Sequence, residues 1–314
     1  MSAPDTVSPG FVVDCGDDAL RAALVRWLEG SCLTWPGAFR IEARIVTSLQ
    51  PLADARASFP QEGIEIQAGP PDGTVRIRWT DHAAEAVVSA NQPTVELSVT
   101  QAALDHFEKA ERGFLLVALV FVLRRIGWYH VHGAALIDPG GRGWMFVGNS
   151  RTGKSTTTAL LASRGWTIAT DDIAFLERTG TAAQIHGFRS QIALRSGGHE
   201  LLRSVTQLVD GSNFSRRQKT GYSPEDLGGR WTETVVPEIL LFPTIGTETS
   251  MSPMRPSEVL SELVTWSHWV LYEPLHAQEH LDLLGRLAGQ ARGIWATFGP
   301  DLFQRPTLLQ EMIP

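Results

Sequence analysis

Apolar and polar positions alternate with a period of two in short stretches across residues 11–100, as at Gly63–Ala68 and Thr74–Trp79, a pattern that predicts strands with one buried face. One stretch of helical period, Asp18–Glu29, interrupts them, and clusters such as Gly69-Pro70-Pro71-Asp72-Gly73 supply turns. Together they predict a small α+β lobe over residues 1–100. From Thr100, whose hydroxyl suits an N-cap, helical spacing runs to about Arg125 and becomes apolar all round over Phe114–Leu123, as expected of a helix entering a core. Gly127 ends it. The apolar run is about half of the roughly 20 residues a membrane-spanning helix needs, and Arg112 and Arg124-Arg125 bracket it, so a buried helix is expected.

Val131–Ile137 reads as a strand, Asp138–Gly143 as a Gly-rich hairpin turn, and Trp144–Val147 as a second strand that runs straight into a glycine-rich loop. A helix is predicted from about Lys154 to Arg164, with Gly165 as its stop. The strand Trp166–Thr170 then delivers Asp171 and Asp172 at its end. Further strands are predicted at Gln184–Phe188, Ile192–Arg195 and Val235–Phe242. Residues 204–232, polar and rich in Gly, Ser and Arg, read as a mobile or substrate-facing loop system. Helical spacing at Ser257–Trp269 and Ala277–Ala291 predicts a helical C-terminus, so residues 101–314 are expected to form a second, catalytic domain.

Composition narrows the function classes. Hydrophobic residues make up 43% and charged residues 19% of the 314, which suits a folded globular protein. The formal charge of −7 argues against nucleic-acid binding, which needs a basic surface to displace counterions. Cys15 and Cys32 offer neither a disulfide framework nor zinc-ligand spacing, and Met1–Gly10 carries no signal-peptide pattern, so a cytoplasmic protein with no membrane partner is expected. Homo-oligomerisation is left open. Ten tryptophans are read as packing residues rather than ligand stackers.

The chemistry is carried by Gly148-Asn149-Ser150-Arg151-Thr152-Gly153-Lys154-Ser155, which fits G-x-x-x-x-G-K-[ST] at every fixed position and sits between a predicted strand and a predicted helix. Its glycines let the backbone curl so that amide groups and the positive helix end face phosphate oxygens, Lys154 reaches the β and γ phosphates, and Ser155 can ligate Mg²⁺. ATP and Mg²⁺ are the expected cofactors, with the loop and Thr156 as nucleotide contacts. Asp171-Asp172 follows Lys154 by only one helix and one strand. Adjacent carboxylates there can divide two tasks, one holding the metal and one accepting a proton; the plainer alternative is an N-cap or turn pair. His132 falls on a strand beside the loop, where a structural and a functional role weigh equally. Arg189, Arg195, Arg216, Arg217 and Lys219 could meet phosphate charge, with Arg195 the best placed because it ends a strand.

These residues carry a resemblance. His132-Gly133-Ala134-Ala135, the Gly-rich turn, Gly148–Thr156, Arg164-Gly165 and Asp171-Asp172 look like the core of the HPr kinase/phosphorylase family, whose P-loop topology is itself similar to that of phosphoenolpyruvate carboxykinase. The resemblance is good over residues 130–178 and weak to about 245; the first hundred residues do not share it. It implies an α/β P-loop kinase core with serine-hydroxyl phosphorylation as the reaction. It also implies Asp171 as catalytic base, Asp172 as metal ligand and His132 as an assisting residue. Arg151 stands where the family usually has Gly, and the glycine-rich signature that reads HPr is missing, which argues against HPr as acceptor. Relatives with such a shortened core include kinases of peptide precursors, so a peptide or small-molecule hydroxyl is the expected acceptor. A regulator that binds nucleotide without transfer is the competing class. It would need a metal ligand but not a second carboxylate poised as base. A nucleoside- or shikimate-type kinase is disfavoured because its second acidic element lies farther from the loop.

Overall fold

The computed structural model describes residues 6–8, 10–32, 34–35, 37–49, 57–59, 63–68, 73–207, 212–214 and 219–313. It is a mixed α/β protein with several sheets, divided into one unit of Met1–Tyr129 with Trp269–His280 and another of His130–His268 with Leu281–Pro314. The expected boundary at residue 100 is therefore displaced to 129. The cause is the helix Phe114–Arg124, which packs on the strands Val75–Trp79, Ala84–Val88 and Thr94–Val99 of the first unit.

In the first unit an eight-stranded sheet runs in the order Thr6–Ser8, Phe11–Cys15, Phe39–Ile45, Thr94–Val99, Ala84–Val88, Val75–Trp79, Ile64–Ala68, Ala57–Phe59. Its first helix, Asp18–Ser31, starts where the Asp17 carboxylate accepts the Leu20 N–H at 2.8 Å, an ordinary N-cap. The single helix expected from Thr100 to Arg125 is three pieces, Gln101–Leu104, Phe107–Arg112 and Phe114–Arg124. His106 and Gly113 leave helical backbone geometry and break it. Phe114–Arg124 is buried along nearly its whole length, and its last residue places a guanidinium in the interior. Arg124 Nε donates to Glu273 Oε2 at 2.9 Å, its Nη2 to the Glu273 carbonyl at 3.3 Å and its Nη1 to the Trp269 carbonyl at 3.4 Å, with His280 Nδ1 3.1 Å from Nη1. Arg125 pairs with the same carboxylate, and the Tyr129 hydroxyl donates to Glu279 at 2.6 Å. Burial pulls the Arg124 guanidinium below its ordinary pKa while Glu273 holds it up.

The second unit is built on a mixed sheet. In it Gly143–Val147, Pro237–Ile245 and Arg292–Phe298 lie parallel in that order, and Tyr129–Ile137 flanks Gly143–Val147 antiparallel. Thr167–Thr170 pairs antiparallel with Tyr129–Ile137 and parallel with Arg230–Trp231. The helix Lys154–Ala162 buries Ala159, Leu160 and Leu161 in a core with Trp144, Phe146, Trp166, Leu241 and Phe298. Trp144 and Trp166 meet edge to face at 5.2 Å, the packing role expected of tryptophan here. The C-terminus is less helical than its spacing suggests. Helices Pro256–Thr265 and Ala277–Gln290 are present, but Arg292–Phe298 is a buried-face strand of the parallel set, too short for its alternation to stand out in the sequence.

Residues 204–232 also depart from expectation. Lys219–Tyr222 is the middle strand of a small sheet with Ile192–Arg195 and Ser212–Phe214, and Tyr222 and Leu227 are buried in the core. A segment polar on average thus anchors itself through two apolar side chains. Arg216, Arg217 and Gln218 lie outside the described residues. No helix among the described residues is long and apolar enough to cross a membrane.

Candidate active site

The sheet topology brings three chain segments to one place. Val147, the last residue before the loop, pairs with Gly133, and the Gly133 N–H donates to the Asp172 carbonyl at 3.1 Å. The loop, His132 and the Asp pair therefore meet at the C-terminal end of the parallel strands, where open α/β sheets bind ligands. Gly133 must be glycine, because a side chain there would lie 2.6 Å from the Phe146 carbonyl.

The loop follows the expected geometry. Gly148 has φ 153° and Gly153 has φ 92°, conformations open to glycine, and Gly153 is the N-cap of the helix Lys154–Ala162. Arg151 takes φ 72°, so the position where the resembled family carries Gly is held left-handed here by an arginine, at about 1–2 kcal/mol. Asn149, Ser150 and Arg151 are exposed, and the Thr152 hydroxyl donates to the Asn149 carbonyl at 3.0 Å. Lys154 is only 6% exposed. Its ammonium donates to the carbonyls of Gly148 at 2.6 Å and Asn149 at 2.7 Å, and lies 3.4 Å from His132 Nε2. Burial lowers its pKa, and Asp172 and Asp171 oppose that fall.

His132 bridges lysine and carboxylate, with Nδ1 lying 3.2 Å from Asp172 Oδ1. Burial lowers its pKa and Lys154 adds to the effect, against the pull of Asp172. This favours a neutral ring with the proton on Nδ1, donated to Asp172, and Nε2 facing the ammonium. The Asp172 side chain is 58% exposed, open to a ligand. Asp171 is its opposite, 3% exposed, with Oδ1 buried and lacking a hydrogen-bond partner among the described residues. Burial and the neighbouring Asp172 push its carboxyl up to about 6, while the Ser155 hydroxyl, Lys154 and Lys219 pull the other way.

Two features fix that carboxylate pair and were not read from the sequence. The wholly buried Thr170 accepts the Ile173 N–H at 3.2 Å and directs its hydroxyl at the carbonyls of Ile173, 2.8 Å, and Phe188, 3.0 Å, closing the turn that holds Asp171 and Asp172. A register shift between Ile168 and Thr170 also inserts an extra residue opposite the neighbouring strand, re-aiming the strand end as bulges do. Gly187 accommodates it, since a side chain there would meet the Ala169 carbonyl at 1.9 Å. The threonine has a sequence signal, a β-branched hydroxyl immediately before an acidic pair at a strand end; the bulge has none.

Arg195, expected at the phosphates, is half-buried and immediately precedes the helix Ser196–Arg203. The cation whose field reaches both Asp171 and Lys154 is Lys219, directly across the ladder from Arg195. Two like charges at opposed positions repel unless an anion lies near them. Thr156 packs where Gly198 leaves room, since a side chain at 198 would lie 2.6 Å from its hydroxyl.

Among the described residues no three His, Cys, Asp or Glu side chains cluster as metal ligands. The donor set nonetheless suits Mg²⁺, which takes one or two carboxylates and completes its shell with water and phosphate. The exposed Asp172 carboxylate and the Ser155 hydroxyl are such donors.

No family model matches this sequence, and no curated protein matches it. Among solved structures, the Hpr(Ser) kinase/phosphatase from Coxiella burnetii aligns with 59% of this chain and 93% of that chain, at 10% identity and a TM-score of 0.30. At that score the likeness carries no argument, and the functional reading rests on the sequence motif and the geometry.

Proposed function

We propose that the chain is an ATP-dependent kinase that moves the γ-phosphoryl group to a serine-type hydroxyl of a peptide, protein or small molecule. The observation that carries this reading is the buried Asp171, one carboxyl oxygen of which has no partner among the described residues, beside a P-loop whose lysine is buried and held only by loop carbonyls and His132. In the proposed step the acceptor oxygen bonds to the γ-phosphorus as the bond to the β-phosphate oxygen breaks. ADP leaves, and the hydroxyl proton passes to Asp171. Lys154 exchanges its bonds to the loop carbonyls for the β and γ phosphates, and the amide groups of residues 149–155 hold the chain of phosphates. His132 keeps Asp172 in place through Nδ1. Mg²⁺, when bound, neutralises phosphate charge, and Asp172 and Ser155 would hold it. A regulator that only binds nucleotide gains nothing from a carboxyl raised to about 6 at the reacting end, which favours transfer over the competing reading.

The test is titration calorimetry with ATP-Mg²⁺ together with ADP release in the presence of serine peptides and free serine. Lys154→Ala should weaken nucleotide binding by at least about tenfold, the scale of a charge-assisted contact. Equal affinity in both proteins would remove the P-loop assignment.

A further inference from the structure

The phosphate end of the site has a fixed direction. Asp171, Asp172 and His132 lie on one side of the loop strand Gly143–Val147, toward Tyr129–Ile137 and Thr167–Thr170. A nucleotide whose γ-phosphate faces them must extend its nucleoside to the other side, over the ends of Pro237–Ile245 and Arg292–Phe298. At that place Ile245 is 67% exposed, although it is the last residue of a strand whose preceding odd-numbered members, Pro237, Ile239, Leu241 and Pro243, are all buried. It pairs with the buried Phe298, and the Gly246 N–H donates to the Phe298 carbonyl at 3.1 Å. Both adjoin the loop: a side chain at Gly153 would lie 3.4 Å from the Phe298 ring and 3.8 Å from Ile245.

The rim beyond is rigid rather than loose. Asp301 Oδ1 accepts the Thr249 N–H at 3.0 Å and the Thr249 hydroxyl at 2.9 Å, and that hydroxyl in turn accepts the Gly299 N–H at 3.1 Å. An uncovered aliphatic side chain, paired with a buried ring and framed by hydrogen-bonded loops beside the glycine-rich loop, suits a flat apolar ligand.

Resting on the kinase reading, we infer that Ile245 is the shelf on which the nucleobase of the nucleoside triphosphate lies, so that the base supplies binding separate from that of the phosphates. The experiment titrates wild type, Ile245→Ser and Lys154→Ala with ATP-Mg²⁺ and with tripolyphosphate-Mg²⁺, which has no base. Ile245→Ser should lose about tenfold in ATP affinity through the lost apolar contact and, adding no charge beside the loop, keep its tripolyphosphate affinity within about twofold. Because the side chain is exposed, the fold should survive, and an unchanged melting curve checks that. Unchanged ATP affinity, or an equal fall for both ligands, overturns the shelf while leaving the P-loop reading intact. Binding of neither ligand by wild type, or equal binding by Lys154→Ala, overturns the P-loop reading and the shelf with it.

Discussion

Each unit buries a cluster of charges, and the two clusters are finished in opposite ways. Around Arg124 the buried cations face a carboxylate: Glu273 pairs with two arginines, and the main-chain carbonyls of Trp269, Glu273, Ser89 and Phe121 take further guanidinium hydrogens, leaving Arg125 Nη2 without a partner among the described residues. Around Lys154 the ammonium is held by carbonyls rather than by a carboxylate, one Asp171 oxygen has no partner among the described residues, and Asp172 stands open. A buried charge is costly unless it is paired, so a closed cluster marks a structural tie. An open one keeps electrostatic energy in reserve for a ligand that arrives with the missing charge. Burial and charge alone do not separate the two; whether the buried cation is paired with a carboxylate does.

The largest effect should fall on the closed cluster. Glu273→Ala leaves two buried guanidinium groups without their carboxylate and should destabilise the protein by about 3–5 kcal/mol, read from urea or thermal unfolding. If stability hardly moved, the claim that this cluster is a structural tie would be wrong.

The open cluster should respond in rate. Asp171→Asn should reduce transfer by about 10²-fold or more, near 3 kcal/mol of barrier, with nucleotide affinity kept. In the wild type the base must be ionised. With a carboxyl near 6, kcat/KM should fall roughly tenfold per unit below pH 6 and level off above it. A profile flat down to pH 5 would assign the base elsewhere.

The same substitution should act on stability with the opposite sign. A carboxyl raised from its ordinary 3.8 to about 6 favours the folded state below pH 4, and that contribution is lost as pH rises through 6. At pH 8 the ionised Asp171 is therefore a burden, and Asp171→Asn should raise stability by an amount on the order of 2 kcal/mol. At pH 4 the gain should vanish; a gain independent of pH would point to packing rather than charge.

The smallest effect is expected at Arg151. Replacing it with Gly should relieve the left-handed backbone and stabilise by about 1 kcal/mol in thermal unfolding, a change confined to the loop. A loss of stability would mean that the side chain contributes more than its backbone costs.

Much of the second unit was legible because local signals agree there. The strand before Gly148, the helix after Lys154 and the Ile192–Arg195 strand lie where the apolar pattern puts them, and Gly165 takes the positive φ of a helix stop. The Asp pair, His132 and the loop could be nominated from spacing. Their meeting depends on an antiparallel strand lying between loop strand and acidic strand, a long-range pairing that no local pattern encodes. The same limit explains Arg195 and Lys219: a strand end pointed to the first, but cross-ladder pairing brings in the second. The helix from Thr100 was read as continuous because its apolar stripe is continuous. His106 and Gly113 broke it through backbone geometry, which hydrophobic spacing does not report.

The first unit is assembled from two separated stretches of chain, Met1–Tyr129 and Trp269–His280. The carboxylate that neutralises Arg124 and Arg125 is thus synthesised some 150 residues after them, when most of the second unit has already been made. A ribosome that has produced only the first 129 residues has made two interior arginines with no acid to meet them. The first unit therefore completes its core late in synthesis, and a fragment ending at Tyr129 inherits that deficit permanently. Excising either unit as a working module would require carrying Trp269–His280 along with the first and bridging the gap it leaves in the second.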